Sequence, residues 1–194
     1  IFTVLFFGPS GAGKGTQVQM LDETLKRQSD RKVLHIEMGA LLRAEAVADT
    51  YTGRKIKTTL EGGSLVPGFF PVYLFTKTLF ETFTGEEHII ADGVARKPVQ
   101  VEAFDDAMRF YGRSDYHVVM LELSETSMME RLLARARSDD TEEGIKKRIA
   151  WYHDEVEPLL SIFESRGVTI HHINGEPDAQ TVHKDILSAL NIPL

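Results

Sequence analysis

The sequence predicts an α/β fold built on a five-stranded parallel sheet. Five short apolar runs, rich in β-branched residues, alternate along the chain with amphipathic helical patterns. The runs are almost continuously apolar, which is typical of strands covered by helices on both faces. Strand–helix alternation implies parallel strands joined by right-handed crossovers. The predicted strands span residues 2–7, 32–36, 88–91, 117–123 and 168–173.

The composition is that of one ordinary globular domain, with 194 residues, 42% of them hydrophobic and 26% charged. Because cysteine is absent, disulfides, thiolate catalysis and cysteine-ligated zinc are excluded. The net charge of -7 argues against generic nucleic-acid binding. No apolar run approaches the about 20 residues of a membrane span, and the opening IFTVLFF lacks signal-peptide flanks. We expect a cytoplasmic protein without nucleic-acid or membrane partners, and a monomer.

Two stretches interrupt the strand–helix alternation. Residues 38–84 lie between two predicted strands and contain more than one helical pattern, so they indicate a small helical insertion. The glycines and prolines that punctuate this stretch are Gly62, Gly63, Pro67, Gly68 and Pro71. The second interruption is a polar turn at residues 137–141, where two helical patterns meet.

Residues 8–16 read GPSGAGKGT, and they follow the first predicted strand and open a helix. That context is required of a phosphate-binding P-loop, in which glycines let backbone N–H groups curl around phosphate oxygens. The helix directs its positive end at the anion, and Lys14 supplies a mobile charge. An incidental glycine-rich turn would not combine this spacing with a strand and a helix. The predicted ATP contacts are Gly11, Ala12, Gly13, Lys14, Gly15 and Thr16.

The form of this loop resembles one protein family in particular. Gly15 follows Lys14, the hydroxyl comes one residue later at Thr16, and Gln17 follows. The pattern GxxGxGKGT resembles the adenylate kinases and related nucleoside monophosphate kinases, and the similarity continues through nearly the whole chain. The resemblance implies a P-loop NTPase-type three-layer α/β fold. It also implies reversible transfer of the ATP γ-phosphoryl group to AMP, giving two ADP.

The segment GALLRAEA at residues 39–46 resembles the family's acceptor-binding helix, in which Arg43 would bind the AMP phosphate. Met38 stands where the family usually has threonine, and Ala40 where it has aspartate. A methionine cannot donate a hydroxyl hydrogen bond. The segment GGSLVP at residues 62–67 resembles the backbone that packs on the acceptor base. The resemblance assigns acceptor contacts to Met38, Gly39, Arg43, Ser64, Leu65 and Val66.

The segment ADGVARKPVQ at residues 91–100 resembles the family's DGFPR…Q motif, with its spacing retained. Asp92 ends a buried strand, where open α/β sheets bind ligands, and a carboxylate there can hold metal-bound water. Arg96 would grip the acceptor phosphate with its planar fork. Gln100 carries both donors and an acceptor, so it can pair with the adenine edge. Gly93 is assigned to the same AMP site.

The stretch from Met129 to Arg148 resembles the family's lid region. Arg131 and Arg135 are four apart on one helical face, and such like charges repel unless an anion bridges them. The resemblance assigns Arg131 to the ATP base, Arg135 to ATP phosphates, and Arg137 to the transferring and acceptor phosphates. Only one residue separates Arg135 from Arg137, so we expect a minimal lid at residues 131–140. Gly175 would cup the ATP adenine through its backbone.

Arg148 can be interpreted without reference to any family, because it lies at the edge of an apolar helical stripe. The stripe consists of Ile145, Ile149, Tyr152, Val156, Leu159 and Phe163. A guanidinium that faces inward needs an anionic partner. Lys146 and Lys147 are expected on a solvated face. Asp139 and Asp140 are open to two interpretations: a helix N-cap pair, or residues that order the lid and the ATP ribose.

The hypothesis is a single kinase domain, with a core of residues 1–37, 85–130 and 141–194, an acceptor-binding insertion at 38–84 and the minimal lid. Its catalytic charges are Lys14, Arg96, Arg135, Arg137 and Arg148. One Mg²⁺ would be bound with ATP, through water or nucleotide, near Asp92 and Thr16, and no zinc is expected. A UMP/CMP kinase is the nearest alternative, although Gln100 favours adenine. A P-loop regulatory module without kinase activity is disfavoured by Arg43 and Arg96.

Overall fold

The computed structural model describes residues 1–135 and 140–193. Its sheet has five parallel strands in the order β2-β3-β1-β4-β5, which confirms the predicted fold class. The strands are β1 Thr3–Phe7, β2 Val33–Glu37, β3 His88–Asp92, β4 His117–Glu122 and β5 Thr169–Asn174. Each begins and ends within one residue of the strand predicted from the sequence.

Nine α-helices are described in residues 1–135 and 140–193. They are α1 Lys14–Gln28, α2 Met38–Ala46, α3 Tyr51–Glu61, α4 Phe69–Thr82, α5 Pro98–Phe110, α6 Glu125–Arg135, α7 Glu142–Trp151, α8 Leu160–Ser165 and α9 Ala179–Ala189. In this part of the chain every helix is too short or too polar to cross a lipid bilayer.

Helices cover both faces of the sheet, and β1 shows why its sequence is continuously apolar. Val4 and Phe6 point into a core shared with α1 and α9, whereas Leu5 and Phe7 point into a second core on the opposite face. That second core contains buried residues of α4, α5 and the segment that ends at Phe163. The result is a three-layer molecule whose central strand is buried on both sides.

The insertion at residues 38–84 contains α2, α3 and α4, so the prediction of more than one helix there is confirmed. The helix α2 begins at Met38, directly after β2, and α4 packs beside α5. The insertion thereby stands at the carboxyl edge of the sheet, which is where it can form one wall of a cleft.

The apolar stripe predicted as one helical face runs through three kinds of turn. After α7, a π-helical turn spans Tyr152–Val156, a 3-10 turn spans Glu157–Leu159, and α8 follows. The Glu157 N–H group donates to the Tyr152 carbonyl, five residues back. Pro158 accounts for the break, because a proline has no N–H group and its ring collides with the carbonyl four residues earlier.

Candidate active site

A cleft of about 1200 Å³ opens at the carboxyl ends of the strands. Its walls come from the P-loop, the insertion, the end of β3 and the facing ends of α6 and α7. The residues predicted from the sequence that line it are Gly11, Gly13, Lys14, Gly15, Thr16, Met38, Gly39, Arg43, Ser64, Leu65, Val66, Asp92, Gly93, Arg96, Gln100, Arg131, Arg135 and Arg148. Ala12 is buried in the core beneath the P-loop instead.

The P-loop has the geometry of an anion site. Gly13 is the N-cap of α1 and adopts φ 86°, a left-handed conformation that residues with a Cβ rarely enter. No side chain caps α1, so its first N–H groups remain available to a ligand. Lys14 is the first residue of α1, and its Nζ atom folds back to donate to the carbonyls of Gly8 at 2.9 Å and Pro9 at 2.8 Å.

Lys14 is buried among charged side chains. The pKa of its ammonium is lowered from 10.5 to about 8, mainly by burial; Asp92 opposes this shift, and the charges of Arg96 and Arg135 add to it. A cation with a lowered pKa is a group whose charged form lacks counter-charge. A phosphate in the cleft would provide that counter-charge.

Asp92 ends β3, beside Phe6 of β1 and Glu37 of β2 in the sheet register. Its Oδ1 atom is buried and accepts no hydrogen bond from the residues described. Such an oxygen, with the Thr16 hydroxyl in the same cleft, suits the water shell of a hard cation such as Mg²⁺. Nowhere among residues 1–135 and 140–193 do three or more histidine or carboxylate side chains form a metal cage.

At the wall formed by α2, Arg43 donates to Glu37 at 2.8 Å. Both side chains are partly exposed, with 52% of Arg43 and 41% of Glu37 accessible. The guanidinium lies against Gly39, where a Cβ would stand 3.0 Å from Nη1 of Arg43. Sequence reasoning missed Glu37, although a carboxylate directly before Met38 at a strand end was a visible signal.

Met38 and Val66 are buried in the core, so they offer the cleft only apolar surface. Ser64 is exposed and Leu65 is half-buried at the same wall. Gln100 is buried, and its Oε1 atom accepts from the Arg96 backbone N–H at 2.8 Å. Its amide nitrogen donates to no residue in the part of the chain described here, and a carbonyl oxygen can accept a second bond.

Arg96 lies beside the only tryptophan of the chain. Its Cζ atom stands over the Trp151 ring, 5.8 Å from the centroid. Burial lowers the pKa of the Arg96 guanidinium, Arg148 lowers it further, and Asp92 opposes the shift. Sequence reasoning missed Trp151, although it follows Arg148 by three residues and so shares its helical face.

At the opposite wall, two arginines share one buried carboxylate. Asp140 accepts from Nε and Nη2 of Arg135 at 2.8 and 2.7 Å, and from Nη2 of Arg148 at 2.6 Å. The expectation that Arg148 faces inward toward an anion is confirmed. The N-cap interpretation is wrong for Asp140, because Thr141 caps α7 by accepting from the Gly144 N–H group.

Arg137 and Asp139 lie outside the described residues, as does the part of the predicted minimal lid at residues 136–139. Lys146 and Lys147 are exposed, as expected, and pair with glutamates one turn earlier in α7.

Arg131 hydrogen-bonds to the turn that follows β5. Its Nη1 and Nη2 atoms donate to the carbonyls of Gly175 and Glu176, each at 2.9 Å. Gly175 in turn donates its N–H to the Glu122 carbonyl at 2.8 Å. These bonds fix the Gly175 turn at the rim of the cleft, although Gly175 itself does not line it.

The comparisons with known proteins agree with this geometry. The family model described as Adenylate kinase matches residues 6–168. The adenylate kinase of Prochlorococcus marinus (strain MIT 9211) is 32% identical over 189 residues, which cover 97% of each chain. That of Thermus thermophilus is 33% identical over 193 residues, again 97% of each. That of Stenotrophomonas maltophilia (strain K279a) is 30% identical over 191 residues, covering 96% of this chain and 98% of the relative.

Proposed function

Because the chain belongs to the adenylate kinase family, we propose that it reversibly transfers the γ-phosphoryl group of ATP to AMP, giving two ADP. One observation carries this proposal. Five cationic side chains from separate segments converge on one cleft at the carboxyl ends of parallel strands. They are Lys14, Arg43, Arg96, Arg135 and Arg148. Phosphoryl transfer depends on positioning and on neutralising charge, which such a cluster supplies.

We propose a division of labour among these charges. Lys14 and the N-terminus of α1 would hold the β- and γ-phosphates of ATP. Arg43 and Arg96 would hold the phosphate of AMP, with the attacking oxygen directed at the γ-phosphorus. Arg135 and Arg148 would contact the transferring group, together with Arg137. Because the γ-phosphate of ATP and the phosphate of AMP must approach each other, the cations have to contact both in order to offset their repulsion.

Mg²⁺ would be bound with ATP, its water shell contacting the carboxylate of Asp92 and the hydroxyl of Thr16. When bound, the ion would supply charge neutralisation for the oxygens of the β- and γ-phosphates. The buried, unpartnered Oδ1 atom of Asp92 supports this placement. Zinc has no role in the proposal, because the chain contains no cysteine.

The acceptor base would be recognised by Gln100, with Ser64, Leu65 and Val66 packing on the ring. The amide can both donate to and accept from the adenine edge. Arg131 would stack on the ATP base beside the Gly175 turn. The remaining acceptor contacts in the proposal are the segment Met38–Gly39 and Gly93.

The domain assignment is likewise a proposal: a core of residues 1–37, 85–130 and 141–194, an acceptor insertion at 38–84 and a minimal lid at 131–140. With so short a lid, closure over the substrates would come mainly from α2, α3 and α4. We propose that the protein acts as a cytoplasmic monomer without nucleic-acid or membrane partners.

The deciding experiment measures ADP formation from MgATP with AMP, CMP, UMP and GMP as acceptors. We expect kcat/KM to be highest for AMP, because a site built for one base edge leaves polar groups unpaired with another. A preference for CMP or UMP would mean that the protein is a UMP/CMP kinase instead. No transfer to any acceptor would favour the regulatory module.

The variant Lys14→Met tests the P-loop assignment. We expect a loss of at least about 100-fold in kcat, because the lysine charge acts chiefly on the transition state. The far-UV circular dichroism spectrum should match the parent, since within residues 1–135 and 140–193 the Lys14 ammonium hydrogen-bonds to two loop carbonyls and to no element of the sheet. Near-parental turnover in a folded variant would contradict the assignment.

A further inference from the structure

The guanidinium of Arg96 packs against two groups that accept none of its hydrogen bonds. One is the Trp151 ring, whose centroid lies 5.8 Å from Cζ. The other is Gly93, where a Cβ would stand 3.1 Å from Nη2, 3.5 Å from Nε and 3.6 Å from Cζ. Because Nη2 and Nε both lie nearer than Cζ, the guanidinium approaches the glycine with its Nε–Nη2 edge. A side chain at position 93 would displace it.

The other arginines of the cleft are held differently. Arg43 donates to Glu37, and Arg135 donates twice to Asp140. Within residues 1–135 and 140–193, the guanidinium of Arg96 donates no hydrogen bond and makes no ion pair. Guanidinium donors lie in the plane of the group, whereas an aromatic ring attracts its positive charge without accepting those donors.

The placement of the Trp151 ring also favours a role toward the cleft. Trp151 is the last residue of α7, immediately before the π-helical turn that begins at Tyr152. Its Nε1 atom is buried and donates to no described residue, although buried indoles usually find an acceptor. The ring therefore keeps its position by packing against the core and against Arg96 rather than through its N–H group.

Resting on the proposed function, we propose that Trp151 is a positioning residue for the AMP phosphate. Its ring keeps the Arg96 guanidinium against Gly93 with the donors directed into the cleft and unpaired. An incoming phosphate then meets a charged, bidentate donor that has no carboxylate to release. Preorganisation of this kind improves affinity for the acceptor without any contact between Trp151 and the substrate.

The test compares Trp151→Leu, which removes the aromatic face, with Trp151→Phe, which keeps a weaker one. We expect Trp151→Leu to raise the KM for AMP roughly 3- to 30-fold, the range of a partly desolvated cation–π contact. The KM for ATP should change less than about twofold. Trp151→Phe should recover most of the AMP affinity, and it keeps the test informative if the leucine variant does not fold.

A matched control is Phe83→Leu. The Phe83 ring lies 5.6 Å from Cζ of Arg113, a second cation–π pair that is not part of the cleft. Its loss should lower the melting temperature and leave both KM values unchanged. If Trp151→Leu raises the two KM values equally, or leaves the KM for AMP unchanged, the positioning role is wrong and the ring only packs.

Because Trp151 is the only tryptophan, its emission also reports the contact in the unliganded protein. Arg96→Met should shift the emission spectrum by removing the adjacent charge. Lys146→Met removes an exposed charge from the same helix and should leave the spectrum unchanged. Identical spectra for both variants and the parent would overturn the proposed contact.

The two levels of the proposal fail separately. If the parent forms no ADP from ATP and AMP, the proposed function falls and the inference falls with it. If the parent is active and Trp151→Leu keeps the parental KM for AMP, only the role of Trp151 is wrong.

Discussion

The two walls of the cleft hold their arginines by opposite means. On the lid side, Arg135 and Arg148 share the carboxylate of Asp140, whose side chain is completely buried. On the proposed acceptor side, Arg96 rests against an aromatic ring and a glycine. The charge of Asp92 acts on its pKa, but within residues 1–135 and 140–193 no ion pair or hydrogen bond joins the Arg96 guanidinium to a carboxylate. At one wall, then, the arginines are neutralised by a carboxylate that accepts their hydrogen bonds. At the other wall, the donors of Arg96 face no such acceptor among the described residues and can bind a ligand.

Of these two arrangements, only the one that contains Asp140 has to break ion pairs when a phosphate binds. A phosphate that engages Arg135 or Arg148 has to compete with Asp140 for their donors, so binding there requires these ion pairs to rearrange. Arg96 requires no such exchange. Asp140 stands in for a phosphate, because one carboxylate contacting two guanidinium groups has the charge and the acceptor geometry that a phosphate would bring.

Asp140→Asn gives the largest expected effect on this comparison. The substitution keeps the shape but removes the buried negative charge that Arg135 and Arg148 share, at 2.7 and 2.6 Å. Removing one partner from a buried ion pair is strongly destabilising, so we expect a loss of about 3 kcal/mol in the free energy of unfolding. Urea unfolding at an unchanged m-value measures it.

The matched control is Glu37→Gln, which removes a carboxylate from an arginine at the exposed wall. Surface pairs contribute little, so the loss there should stay below about 1 kcal/mol. If the two substitutions cost the same free energy, burial does not distinguish the walls and the comparison fails.

The pH dependence of ATP use tests the third cation, Lys14, whose partners are carbonyls rather than a carboxylate. Its pKa in the unliganded protein is lowered to about 8 by burial. The lysine is charged below that pH and loses its charge above it. We therefore expect kcat/KM for ATP, which reports the free enzyme, to fall about tenfold per unit above roughly pH 8.

Bound phosphates restore the lysine pKa, so kcat should stay level to higher pH than kcat/KM. Lys14→Arg serves as the control, because an arginine does not deprotonate in this range and its profile should be flat. A parental kcat/KM that stays constant to about pH 10 would contradict the lowered pKa.

Much of the fold follows from local pattern. The three central strands, β1, β3 and β4, could be predicted because each is a nearly continuous apolar run that is buried on both faces. The edge strands β2 and β5 are more polar and partly exposed, but they follow the same strand–helix alternation. The P-loop could be predicted because its glycines, lysine and flanking elements are contiguous in sequence. Arg148 could be predicted to face inward because periodicity alone sets the direction of a helical residue.

The π-helical turn could not be predicted, for a physical reason. Tyr152, Val156, Leu159 and Phe163 keep α-helical spacing although the chain passes through a π turn and then a 3-10 turn. The first turn holds more residues than an α-helical turn and the second holds fewer, so their phase errors cancel. The apolar pattern is the same as that of an unbroken helix.

The contacts within the cleft could not be predicted from the sequence either. Arg96 and Trp151 are far apart in the chain, and no periodicity relates them. Asp140 had two interpretations from the sequence, and only its burial beside Arg135 and Arg148 decides between them. Glu37 was visible at a strand end, but its pairing depends on how α2 folds Arg43 back toward it.

The smallest expected effect concerns the pair of Glu37 and Arg43 on the proposed acceptor wall. In Glu37→Gln the amide still contacts Arg43 but no longer neutralises it, so the AMP phosphate meets less competition. We expect the KM for AMP to fall roughly 1.5- to 5-fold, in keeping with the small energies of exposed ion pairs, while the KM for ATP stays constant. The gain should shrink as salt is added, because ions screen this exposed pair. A KM for AMP that rises instead would mean that Glu37 orients Arg43 for binding, and both arginines of the acceptor wall would then be positioned by a neighbour rather than held back by one.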